Sequence, residues 1–107
     1  MDTKAIDMTL WGERPGEPPF PIRLVIGVPV VPPDDHGLWE CAVELSPLFQ
    51  RLRGARSDDP LHSLCLTLSL VLDLLTDFQQ KGNRLSETSG GPELSFEHYA
   101  FGPAQRR

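Results

Sequence analysis

Three histidines and two cysteines are the side chains best suited to metal or nucleophilic chemistry. His36, His62 and His98 are scattered, none meets a cysteine at zinc spacing, and no C-x-x-C pair exists. His62 and Cys65 stand three apart, half of a ligand set on one helical turn. A Cys–His nucleophilic pair needs surroundings that lower the thiol pKa, and the neighbouring residues supply none. The pair reads as a helix-surface histidine beside a core cysteine. Asp34-Asp35 and Asp58-Asp59 could serve metal or acid–base chemistry only with convergent partners, and turn and cap roles account for both. Gly90-Gly91 lacks the strand, the Lys-Ser/Thr and the helix of a phosphate loop. The expectation is a chain without catalytic or metal residues, without a cofactor, and not an enzyme: it acts by binding.

The elements that would present a binding surface are legible as alternations. Ile6, Met8 and Leu10 alternate with Asp7 and Thr9, a half-buried strand over 5–11. Five residues of the stretch Gly12 to Pro21 are Pro15, Gly16, Pro18, Pro19 and Pro21, which predicts a loop. Over 22–31, Ile22, Leu24 and Ile26 share one face, and Gly27 and Pro29 mark where the ladder breaks. Over 38–45, Trp39, Cys41, Val43 and Leu45 form one face and Glu40, Ala42 and Glu44 the other, which implies an antiparallel sheet with one wet side. Ser46-Pro47 interrupts this strand. A short strand is expected over 49–55, with Arg51 and Arg53 on one face where they could oppose Glu40 and Glu44. Leu94 to Phe101 is apolar enough for a last short strand or a packed extension, and Gly102 to Arg107 is expected to fray.

Residues 58–81 fit two periods. Leu64, Leu66, Leu68, Leu70 and Leu72 alternate, yet Leu61, Leu64, Leu68, Val71, Leu72, Leu75 and Phe78 keep helical spacing. Leucine content, a run too long for a strand, N-cap candidates Ser57, Asp58 and Asp59, Pro60 in the first turn and Gly82 after Lys81 all favour a helix. On a wheel, Leu61, Leu64, Cys65, Leu68, Val71, Leu72, Leu75 and Phe78 form the stripe expected to pack on the sheet. Leu66, Leu70 and Leu74 fall roughly opposite, flanked by Asp73 and Asp77. A second leucine stripe predicts either a contact with a copy or a partner, or a cover formed by Phe96, Tyr99 and Phe101.

These elements make one α+β domain spanning 1–107, with an ordered core of about 5–101: an antiparallel sheet of about four strands packed against one long helix in the C-terminal half. A chain of 107 residues, 39% hydrophobic and 23% charged, suits one modest core and excludes a cofactor domain joined to a substrate domain. With 15 acidic and 10 basic residues and net charge −5, nucleic acid is disfavoured as a partner, because phosphates require a basic surface. Two cysteines in apolar segments fit a reducing cytoplasm. The first residues lack a signal-peptide pattern, and Leu64 to Leu75 falls short of a bilayer span, so no membrane role is expected.

Ile26-Gly27-x-Pro29, then Trp39-x-Cys41 and Leu45, then a short segment ending in Gly54 and a leucine-rich helix from Leu61, together resemble a small uncharacterised bacterial α+β domain family, a domain of unknown function. The likeness covers roughly residues 22–80 and departs at the helix start, where Ser57-Asp58-Asp59-Pro60-Leu61-His62-Ser63-Leu64 replaces the usual pattern. It implies a compact α+β fold and brings no catalytic residues.

Size, acidity and the lack of catalytic signatures are similar to those of bacterial immunity proteins, which inhibit a cognate toxin by occluding it. For that function the expected surface is an acidic patch of Asp34, Asp35, Glu40 and Glu44 facing a basic toxin domain. The alternative is a dimeric adaptor or secretion chaperone that uses Leu66, Leu70 and Leu74.

Overall fold

In the computed structural model, which describes residues 3–33, 37–50, 52–97 and 99, the alternating segments form a four-stranded antiparallel sheet and the leucine-rich run is a single helix. The strands are β1 (Lys4–Glu13), β2 (Phe20–Gly27), β3 (Val43–Ser46) and β4 (Arg84–Ser86), in the order β3-β2-β1-β4. The helix α1 spans Pro60–Gln80 and precedes β4. This is the α+β architecture the patterning implies.

The hairpin β1–β2 is the longest pairing, running from Lys4 opposite Gly27 to Gly12 opposite Phe20, with a register shift between Lys4 and Ile6. It reaches further into the proline-rich stretch than composition suggests. Pro21 sits in β2 opposite Trp11, and only residues 14–19 remain as the connection. A Cβ at Gly12 would come within 2.8 Å of Phe20 Cζ and Ile22 Cδ1, so a larger residue there would make these side-chain ends shift. The Phe20 ring meets Phe78 of the helix edge-on at 6.3 Å, and the Arg14 guanidinium lies 4.7 Å from the Phe20 centroid.

Between β2 and the helix the chain is held by single bridges rather than long ladders. The strand expected over 38–45 is regular only from Val43 to Ser46, with Val30 and Glu40 bridged ahead of it. Among the described residues no regular strand forms over 49–55. Phe49, Arg53 and Ser57 instead bridge Leu45, Ala42 and Trp39 in turn. Pro47 cannot donate to a ladder, and Gly54 carries the backbone close to Cys41, so the segment touches its neighbour at intervals. β4 was not foreseen: three residues are too few to show a period.

The helix caps follow the residues. Asp59 is the N-cap and accepts the His62 amide at 2.8 Å, Pro60 opens the first turn, and Gly82 at φ +94° ends it with its amide on Gln79 O at 3.0 Å. By length and mean hydropathy (1.5 over its most apolar window) α1 could cross a bilayer. In this fold one side packs against the sheet.

The core lies between that side and the sheet face carrying Leu10, Ile22, Leu24, Ile26, Val43 and Leu45. The buried helix positions are Ser63, Thr67, Val71, Leu75 and Phe78, and Leu64, Leu68 and Leu72 of the expected stripe pack against the core beside them, so the stripe is corrected only at its start. Leu61 is 71% exposed, and the buried line begins at Ser63 and Thr67. The cause is the partner of the first two turns, which is the backbone around Gly54 and Ala55. Ser63 Oγ donates to Ala55 O at 2.9 Å, and the Ala55 amide donates to Thr67 Oγ1 at 3.1 Å. Polar backbone at close range selects small hydroxyl side chains over leucine.

Candidate interaction surface

Each candidate residue has a defined place or lies outside the described residues. Asp34, Asp35, His36 and His98 are outside them, as are Arg51 and Phe101. Glu40 and Glu44 do share the outer face of the β3 segment, but neither is a bare carboxylate. Glu40 Oε1 accepts from Arg56 Nε at 2.8 Å and from an Arg53 guanidinium nitrogen at 3.0 Å, with its side chain only 16% exposed. Glu44 accepts from Ser46 Oγ at 2.7 Å. Arg53 thus meets Glu40 diagonally across the Ala42–Arg53 bridge, the cross-strand complementarity the alternation suggested. The Glu40 charge is spent inside the fold.

The second leucine stripe is divided. Leu74 packs against the core and lines a cleft with Leu48, Phe49 and Phe78, whereas Leu66 stays 38% exposed and Leu70 half-exposed. The described residues of the C-terminal segment do not lie over these two. Leu94, Phe96 and Tyr99 line a cavity with Leu68, Val71, Leu72 and Leu75, on a different side of α1. Gln79 Nε2 donates to Leu94 O at 2.7 Å, the Leu94 amide donates to Leu85 O at 2.8 Å, and the Phe96 and Tyr99 rings meet edge-on at 5.2 Å. These contacts hold the segment in that position.

This cavity has a more apolar lining than the cleft at Leu74. It measures about 190 Å³, against about 330 Å³ for that cleft, and its sheet side is Ile6, Met8, Leu10, Leu24 and Ile26. Among the described residues, Glu87 is the only charged one on its wall. Towards the start of β1 the cavity opens. Ile6 and Met8 sit on the helix-facing side of the sheet yet are 38% and 41% exposed. β4 explains the opening: it pairs with β1 only at Trp11, Gly12 and Glu13. Beyond Ser86 the chain turns back on itself, with Ser86 Oγ on Thr88 O at 2.7 Å and Ser86 bridged to Glu93. Among the described residues nothing pairs with β1 from Lys4 to Leu10 on that side.

On the opposite sheet face the same half of β1 carries charge. Asp7 accepts from Lys4 Nζ at 3.1 Å and from Arg23 at 3.3 and 3.4 Å. The Arg23 hydrogen bond, then that of Lys4, holds the Asp7 carboxyl below its ordinary value, and Asp7 in turn raises Arg23.

One arrangement with chemical potential escaped the sequence reading. Ser57 Oγ lies 2.7 Å from His62 Nδ1, a hydroxyl–imidazole pair five residues apart. The signal was present, since a serine just before a helix can reach back to its first turn. Ser57 is buried at 8% exposure and bridged to Trp39, and neither apolar cleft described above is lined by Ser57 or His62. The pair ties the helix start to the 53–57 segment. Cys41 is fully buried with its Sγ 3.9 Å from Ser63 Oγ, while Cys65 is half-exposed. Among the described residues no three His, Cys, Asp or Glu side chains converge as a metal site.

Compared with protein-family models, with curated proteins and with solved structures, the chain matches none. The functional reading therefore rests on the geometry.

Proposed function

We propose that this chain is a non-catalytic protein-binding domain. The observation that carries the reading is the exposure of Ile6 and Met8 beside an apolar cavity, on the face of the sheet that elsewhere forms the core. A small domain has little apolar surface to spare, and a contiguous uncovered patch on it is an interaction surface.

Two mechanisms compete within that class. Toxin inhibition by an acidic surface would need free carboxylates, and the engagement of Glu40 with Arg53 and Arg56 weakens that form of recognition. Apolar recognition uses the cavity mouth and the outward leucines Leu66 and Leu70, which favours an adaptor or chaperone that holds an apolar part of another protein. An immunity protein that grips its toxin through the same apolar surface remains within this reading; a basic acid-seeking interface is the less favoured version.

The test is affinity purification of the full chain from its source cells under gentle cross-linking, followed by mass spectrometry and light scattering of the purified complex. One stoichiometric partner is expected, bound with an on-rate that changes little with ionic strength. A steep salt dependence would restore the acidic mechanism, and recovery of the chain with no stoichiometric partner would overturn the reading.

A further inference from the structure

We infer that the unpaired half of β1, Lys4 to Leu10, accepts an extended segment of a partner protein as an added strand, with alternate apolar side chains of that segment entering the cavity and a basic residue meeting Glu87. This deepens the protein-binding reading and rests on it.

Three observations specify the occupant. Among the described residues no strand pairs with this stretch in line with β4, which stops opposite Trp11, so an antiparallel strand placed there would continue the sheet. An edge of this kind offers every second amide and carbonyl for pairing. The cavity opens onto this lane, and about 190 Å³ suits one or two apolar side chains rather than a drug-sized ligand. Charge then selects among strands. In a symmetric antiparallel pairing of two copies centred on this edge, the Asp7–Lys4–Arg23 cluster, one carboxylate with two cations, would face the same cluster of the other copy, like charge against like. Both copies would also carry net charge −5. Glu87 stands exposed on the cavity wall without an ion-pair partner among the described residues, so a segment with a flanking Lys or Arg is favoured over a second copy.

The probe is an acetylated, amidated peptide, Lys-Val-Thr-Val-Thr-Val-Lys, titrated into the full-length protein and followed by amide NMR. Shifts and slowed exchange concentrated at residues 4–10 are expected, with a dissociation constant on the order of 0.1–1 mM. N-methylating the peptide amides that face β1 should weaken binding about tenfold, and Met8→Gln by a similar factor; Glu87→Gln should weaken it about threefold, while Glu17→Gln, in the exposed connection at the far end of the hairpin, leaves it unchanged. Ile6→Thr replaces Met8→Gln if that variant loses its native spectrum. Shifts centred on Leu66 and Leu70, indifference to N-methylation, or no shift at millimolar peptide would each overturn strand addition. A wild-type dimer that Met8→Gln dissociates would replace the partner with a second copy. Since the cellular purification reads partner binding separately, a partner that persists there while the peptide fails condemns strand addition and leaves the binding function standing.

Discussion

Thr67 Oγ1 receives the Ala55 amide at 3.1 Å, and one turn earlier Ser63 Oγ donates to the Ala55 carbonyl at 2.9 Å. A single residue of the irregular segment before the helix is thus satisfied at both its backbone groups by two hydroxyls of α1. The helix phase is set by this clamp at its start and by Val71, Leu75 and Phe78 further along. Replacing Thr67 by Val keeps the volume but removes the acceptor. Thr67→Val is expected to cost about 1–3 kcal/mol, the penalty of leaving a part-buried amide unpaired. Urea unfolding monitored by circular dichroism measures it, and an unchanged midpoint would show that the clamp is not needed.

Gly54 lies beneath the same contact. A Cβ there would collide with the Cys41 carbonyl and come within 3.0 Å of Thr67 Oγ1. Because the obstacle is backbone, it cannot swing aside as a side-chain tip would. Gly54→Ala should destabilise by about 3 kcal/mol or prevent folding, whereas Gly16→Ala, whose Cβ meets nothing but whose φ is +75°, should cost about 1 kcal/mol. Comparing the two variants by thermal melting separates close approach from backbone strain.

Much of this was readable from residue order, and the exceptions share a cause. The hairpin face, the inward Cys41–Val43–Leu45 series, Asp59 as cap and Gly82 as stop are local features, and local patterns report them. The burial of Ser63 and Thr67 ahead of Leu61 depends on what the helix meets in space, which a wheel of hydrophobicity ranks wrongly because it treats hydroxyls as outward. The engagement of Glu40 by Arg56 is likewise a long-range fact. The stretch of β1 that no described residue pairs with on the β4 side arises from where β4 stops, and Arg84-Leu85-Ser86 carries no periodic signal to announce it.

The leucine stripe can be tested as two halves. Leu74 packs on the core and Leu66 does not. Leu74→Ala should cost about 2 kcal/mol, and Leu66→Ala less than about 0.5 kcal/mol. Equal costs in chemical denaturation would mean that Leu66 is covered in solution, as it would be in a helix-mediated dimer.

The two thiols should differ sharply. Cys41 is fully buried and Cys65 half-exposed. With a thiol reagent at neutral pH, Cys65 is expected to react in the native state and Cys41 only when the protein opens. Peptide mapping after timed labelling assigns each site, and rapid labelling of Cys41 would contradict the packing of the β3 segment on α1.

Asp7 provides the pH test. Its carboxyl titrates below the ordinary value of 3.8, chiefly through the Arg23 hydrogen bond and then through Lys4. A group whose folded pKa is depressed adds stability above its unfolded pKa and loses it as pH falls through the folded one. The Asp7 contribution is therefore intact at neutral pH and disappears only on acidification below the ordinary carboxylate range. The carboxyl is open to solvent, so the effect on global stability is small and the titration is the better readout. Carbon-detected NMR should place the Asp7 midpoint below that of a free aspartate, and Arg23→Gln should move it upward. If the midpoint did not move in Arg23→Gln, Lys4 alone would be holding the charge at the edge on which the added strand is expected to dock.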